Sequence, residues 1–204
     1  MKASLDVISY KTTLRLIKSD LYRYCQNINL WSFIKAYFMI PGFQYSVWMR
    51  IVRYYDDVGV LRKILFPLVW YIWACKKLKF GINIPFRAEV GSGLYIGHHG
   101  GIIVHPDCIF GRNCNISQGV TLGIAGRGHK RGCPKLGNHV YIGAGAVIIG
   151  NITVGNNVAI GANSVVTRDV PDNAVLVGAP AKIVSYKGAD DFINNIDYPK
   201  YFDL

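Results

Sequence analysis

A chain of 204 residues with 51% hydrophobic and 17% charged residues has ample material for a core and is not a disordered segment. Its formal charge of +11 is unevenly spread: residues 1–83 hold 13 Lys and Arg against 4 Asp and Glu, while residues 84–204 hold 10 against 8. The basic excess of the first third argues against a nucleic-acid groove on the rest and leaves an anionic or membrane surface as a partner for that third.

Residues 1–80 read as an N-terminal helical domain. Ser19-Asp20 resembles a helix start before Leu21-Tyr22-Arg23-Tyr24. Asn29 caps a second helix that Pro41-Gly42 would end. A third is expected from Phe43 to Asp56, and a fourth from Leu61 to Phe80, bent at Pro67. In that last helix Ile64–Cys75 is uncharged but only 12 residues long. Crossing a bilayer takes about 20 residues. Two readings stay open for residues 30–80: packing within the protein or a subunit interface, which we favour, and peripheral membrane contact.

From Ile84 to Val166 aliphatic or aromatic residues recur every six positions, as at Ile84, Val90 and Ile96, or Leu136, Ile142, Ile148, Val154, Ile160 and Val166. Glycine often follows the marked residue. Six is the period of neither a helix nor a hairpin, and fits a mostly β fold, a parallel β-helix of about four coils with three hexapeptides each. The period breaks twice. Two extra residues lie in Gly97-His98-His99-Gly100-Gly101, and eight lie between Leu122 and Leu136. Insertions in a solenoid become surface loops, where function concentrates. A turn follows at 168–173, then a short strand at 174–177, and residues 189–204 form a tail without a clear signal.

The five cysteines form no CxxC pair and are odd in number, which fits a reducing cytoplasm. Cys108 and Cys114, six apart, read as small buried residues on neighbouring coils. Met1 to Leu14 shows no apolar signal-peptide segment. Localisation is expected to be cytoplasmic, with the inner membrane face as the place for any lipid contact.

The repeat, the segment Ile96-Gly97-His98-His99-Gly100-Gly101-Ile102-Ile103-Val104, the run Gln118-Gly119-Val120-Thr121-Leu122-Gly123 and the tail Gly178-Ala179-Pro180-Ala181-Lys182 resemble the left-handed β-helix acyltransferases, in particular their serine acetyltransferase branch. The resemblance covers roughly residues 80–188. Ile17 to Tyr24 is similar, more weakly, to proteins of surface-polysaccharide clusters. The resemblance implies a left-handed parallel β-helix at residues 81–188, a homotrimer or dimer of trimers with sites between subunits, acetyl-CoA as co-substrate, no metal, and His98 as general base. It places Gly123, Ala144, Ala162, Thr167, Arg168 and Lys182 along the acetyl-CoA groove, although Lys182 also reads as a solvated surface lysine.

The chain departs from that branch on the acceptor side. Where those enzymes carry an aspartate before the histidine, this chain has Gly97, and their aspartate fifteen residues earlier is Asn83. Their Arg-His before the loop proline is Gly132-Cys133. The groups that would hold serine are missing, so the expected acceptor is a sugar hydroxyl of a surface polysaccharide or its precursor. Serine O-acetylation and amino-sugar N-acetylation remain the alternatives. Asn83, His99, Arg127, His129 and Arg131 are the candidate acceptor contacts.

Acyl transfer to an alcohol needs a base titrating near neutrality, a donor for the oxyanion and two substrates held together. Imidazole meets the first need. His99 rivals His98, and Asn83, Glu89 and Asp107 are candidates to orient the base. His105 and His139 read as ordinary surface residues, and Cys133 as structural or incidental, not catalytic. The histidines lack the convergent spacing of a three-histidine zinc site.

Overall fold

The computed structural model describes residues 8–56, 60–126 and 131–198. Four helices precede a solenoid of short strands. Helix α1 (Tyr10–Cys25) starts at Ser9, whose hydroxyl accepts the Thr12 N–H. This corrects the start expected at Ser19-Asp20: both residues lie inside the helix, buried, and their side chains bind backbone elsewhere. Helix α2 (Leu30–Met39) is capped by Asn29 as expected. Pro41-Gly42 does not merely stop α2 but opens α3 (Pro41–Tyr55). Proline fits a first helical position because the N–H it lacks would have no partner there. Helix α4 (Val60–Phe80) runs on through Pro67.

Fifteen strands follow among the described residues. β1 (Ile82–Asn83), β4 (Ile102–Val104), β7 (Thr121–Gly123), β10 (Val147–Ile149) and β13 (Val165–Val166) form the first sheet. β2 (Glu89–Val90), β5 (Ile109–Phe110), β8 (Lys135–Leu136) and β11 (Thr153–Val154) form the second. β3 (Tyr95–Ile96), β6 (Asn115–Ile116), β9 (Tyr141–Ile142), β12 (Ala159–Ile160) and β14 (Val175–Val177) form the third, closed by the antiparallel β15 (Lys182–Ser185). Each of the first four coils gives one strand to each sheet, as the six-residue period requires.

Of the marked positions all but Val90 are buried, and Val90 packs on the same cluster. The winding makes a fifth coil beyond the four expected. Val170 bridges to Val154, and Leu176 pairs above Ile160. The corner after Val166 is tighter than six residues, so a strict count stops there. Cys108 and Cys114 are buried as expected but occupy successive corners of one coil, not neighbouring coils.

An open solenoid end would expose its apolar stack, so terminal coils need a cap. Tyr45, Met49, Val52, Val69, Trp73 and Phe80 close the first coil over Ile82, Ile84, Leu94 and Ile96 in one continuous core. Polar side chains of α1 and α3 take up that coil's backbone groups. Asp20 accepts the Leu94 N–H at 2.9 Å and pairs with Arg50, whose guanidinium donates to Val90 O and Gly91 O at 2.6 Å each. Ser19 accepts the Gly93 N–H, and Arg23 donates to Gly93 O. The Tyr24 hydroxyl accepts the Ile96 N–H at 2.8 Å and donates to Ile96 O at 3.2 Å.

The tail is ordered where it is described. It crosses the third sheet, where Ala189 and Ile193 pack on Ala159 and Phe192 stacks on Tyr141 at 4.6 Å. It then reaches α1, where Arg23 donates to Asn194 O and Tyr22 to Asp197 O.

Candidate functional site

The first sheet has two edges. At one the chain arrives from the third sheet, and at the other it leaves for the second. Both breaks in the period fall on these edges. The two-residue break is the arriving corner between β3 and β4. Gly100 and Gly101 there take φ of 105° and 66°, a region where a side chain is strained. Gly119 N–H ties the corner to the coil above through Gly100 O. The extra length pushes His98 and His99 outward, and both are exposed.

The two imidazoles differ. The His99 ring packs edge-on against Phe80 at 5.9 Å. Neither His98 nor His99 makes a hydrogen bond with a described residue, and only His99 has a ring contact. None of the candidate orienting residues is hydrogen-bonded to His98. Asn83 lies on β1 beside Ile103, Glu89 lies on the second sheet, and Asp107 sits at the opposite edge near His105.

The eight-residue break is the departing corner between β7 and β8. Ala125 and Gly132 pinch its base with two backbone hydrogen bonds of 3.1 and 3.4 Å. Arg127 and His129 lie outside the described residues, as does Lys130. Arg131 is exposed at the loop's base. Beneath it Cys133 Sγ is 3.0 Å from His105 Nδ1. The Asp107 N–H donates to the same nitrogen at 3.2 Å, so Nδ1 is the acceptor and the thiol the donor. The sulfur, this nitrogen and an Asp107 carboxylate oxygen all lie within 4.8 Å of one another.

His105 is therefore part of a side-chain cluster, not an ordinary surface residue. Counting back from Leu136, one coil above Phe110, puts Cys133 over Asp107, so the pattern held the signal. Burial pushes the Cys133 thiol up and the Cys108 thiol up to about 12. Both stay protonated at neutral pH and offer no ready thiolate nucleophile. His139, also read as a surface residue, is half-buried with φ of 57° and bonds Asn113 Nδ2 at 3.1 Å.

Near the solenoid's C-terminal end Thr167, Arg168 and Lys182 line one cavity of about 300 Å³. Arg168 and Lys182 bring two cations to this lining and Asp169 one carboxylate, whose Oδ1 accepts the Thr153 N–H at 2.8 Å. Gly123 lies on the same departing edge, since it pairs with Ile149, and Thr167 comes next after Val166, which pairs with Ile148. Ala144 and Ala162 stack on the arriving edge, where the Asn163 N–H donates to Ala144 O at 2.8 Å. The two groups of residues thus lie on opposite edges of one sheet: the paired histidines with small corners on the arriving edge, and the long loop with the Arg168 corner on the departing edge.

A family model described as bacterial transferase hexapeptide (six repeats) matches residues 133–168. The chain is 39% identical over 150 residues to a serine acetyltransferase of Synechococcus elongatus, covering 72% of this chain and 59% of that protein. The chain thus spans about three fifths of the length of that curated relative. Among solved structures, a Neisseria gonorrhoeae serine acetyltransferase in complex with serine is similar with TM-score 0.70 and 33% identity, over 87% of this chain and 71% of that one. A serine acetyltransferase in complex with CoA gives TM-score 0.69 and 32% identity, over 86% and 71%.

Proposed function

Because the chain belongs to the hexapeptide-repeat transferases, in the serine acetyltransferase-like branch with its left-handed β-helix, we propose that it is an acetyl-CoA-dependent O-acetyltransferase with His98 as general base. The observation that carries this reading is an exposed imidazole at a lengthened corner, with no hydrogen bond to a described residue. His98 removes the acceptor's hydroxyl proton as oxygen attacks the thioester carbonyl. The C–S bond breaks, and His98 returns the proton to the departing CoA sulfur. A backbone N–H at a glycine-rich corner stabilises the oxyanion.

Thr167, Arg168 and Lys182 suit the nucleotide end of CoA, and Gly123, Ala144 and Ala162 give its amide-bearing arm close access to backbone. Copies packed as a homotrimer, or as a dimer of trimers, set one copy's His98 edge beside a neighbour's loop edge and complete the site. The enzyme works in the cytoplasm.

The relatives' names make serine the first acceptor to test. A free amino acid presents an ammonium and a carboxylate, and a site holding both needs charged partners. Asn83, Gly97, Gly132 and Cys133 supply none. Neutral and small groups at these places favour a sugar hydroxyl of a surface polysaccharide or its precursor, with His99 and Arg131 as candidate contacts for it. The purified chain with radiolabelled acetyl-CoA is offered serine, nucleotide sugars and de-O-acetylated surface glycan. A base-labile ester on sugar, formed much faster than O-acetylserine, is the expected product. Serine turnover as fast as any sugar's establishes serine as the acceptor, and a base-stable product identifies N-acetylation.

A further inference from the structure

We propose that the outward faces of α2 and α4 dock flat on an anionic phospholipid surface. This inference is independent of which acceptor the enzyme uses. Helix α4 turns Val69, Trp73 and Phe80 into the core. Its opposite side presents Ile64, Leu68, Tyr71 and Leu78, each between 60 and 79% exposed. Helix α2 buries Ala36 and leaves Leu30, Trp31, Phe38 and Met39 between 70 and 77% exposed. The faces are neighbours, because Tyr37 and Phe38 of α2 line one groove with Lys76, Lys79 and Phe80 of α4. Large apolar side chains gathered in this way mark an interaction surface.

Charge selects the occupant. The two helices carry Lys35, Lys63, Lys76, Lys77 and Lys79, and their sequences contain no Asp or Glu. Lys35, Lys63 and Lys79 are exposed beside the apolar stripes. A second copy meeting this face would set lysines against lysines with no acidic residue on either helix to pair them, and such juxtaposition is costly. Anionic headgroups pair with the lysines, while the acyl boundary takes the aliphatic and aromatic side chains. Trp31, Trp70 and Tyr71 have the apolar body and polar tip that such a boundary favours. No helix of the described residues is long and apolar enough to cross a membrane, so the contact lies in the plane of the surface. Phe80 ends α4 and touches His99, so a docked α4 also holds the His98 corner near the lipid.

The test is flotation of the purified full chain with vesicles of phosphatidylglycerol and phosphatidylcholine, against vesicles of phosphatidylcholine alone. Wild type is expected to float with the anionic vesicles only, and less at high salt. Replacing Lys35, Lys63 and Lys79 by Gln is expected to weaken binding by roughly fivefold per lysine, about a hundredfold in all. Leu68→Glu with Leu78→Glu is expected to abolish it. Both variants should keep the wild-type circular dichroism spectrum, because all five side chains point outward. Failure of wild type to float, or flotation that survives both variants, overturns the proposal. So does a result in which Leu68→Glu with Leu78→Glu dissociates a wild-type oligomer in ultracentrifugation and lipid binds neither protein, which makes the face a contact between copies.

Discussion

Asp20→Ala removes the carboxylate that joins the helical cap to the first coil. Burial alone raises the Asp20 pKa, and Arg50 and the Leu94 N–H oppose that by stabilising the anion. In the variant Arg50 loses this partner, and the buried Leu94 N–H loses its acceptor at 2.9 Å. Breaking a buried ion pair from one side costs about 3–5 kcal/mol. An orphaned buried N–H costs about 1–3 kcal/mol more. Arg50 keeps Val90 O and Gly91 O, both at 2.6 Å, which limits the damage on its side. The expected loss is therefore near the low end of the sum, about 4 kcal/mol. At about 2–4 °C per kcal/mol for a chain of this size, Tm falls by ~8–16 °C. All four tryptophans, Trp31, Trp48, Trp70 and Trp73, lie in the helices, so their fluorescence in a urea titration reports the cap directly. Adding Arg50→Met should cost less than the two single losses combined, because the residues are coupled. A loss below ~1 kcal/mol, the range of an exposed pair, would refute a buried staple.

Tyr24→Phe deletes a hydroxyl bonded to both backbone groups of Ile96, and a loss of about 1–3 kcal/mol is expected in the same titration. His139 has its pKa lowered, first by burial and then by the positive charges of Arg23 and Arg112. Its neutral form is favoured in the fold, so its contribution is intact above the unfolded pKa of about 6.5 and is lost as pH falls below that. Wild-type stability should therefore drop more between about pH 7.5 and 5.5 than that of His139→Asn, which tolerates the same backbone; equal slopes would contradict this. Phe192→Ala removes the stack on Tyr141 and should loosen the tail by about 1–2 kcal/mol, read as faster proteolysis within residues 186–198 at unchanged global Tm.

The solenoid was legible because an inward stack needs one side chain at the same place in every hexapeptide. Its last coil was not, because the corner between Val166 and Val170 is shorter than the period. Pro41-Gly42 carries the same local signal whether it ends one helix or starts the next, and only the packing of Gly42 against Ile96 decides. Ser19 and Asp20 have the chemistry of a helix cap, yet they serve Gly93 and Leu94, far away in sequence. The tail's hold depends on Tyr141 and α1, which no local pattern announces. In the repeat, the spacing located both interruptions but not what sets the two imidazoles apart, since that difference is the ring contact of His99 with Phe80. It also could not show that Gly123 lies on one edge of the first sheet while Ala144 and Ala162 stack on the other.

The most direct test of the account is the initial rate of CoA release with the preferred acceptor for wild type and His98→Gln, each at saturating acetyl-CoA. A fall of about 10²–10⁴-fold is expected for the variant, with CoA binding by calorimetry unchanged. His99→Gln should keep most of the wild-type rate once the acceptor too is saturating, because an acceptor contact acts on KM. A His98→Gln enzyme as fast as wild type would contradict the assignment of His98 as the base and, with it, the reading of the lengthened corner as the catalytic centre.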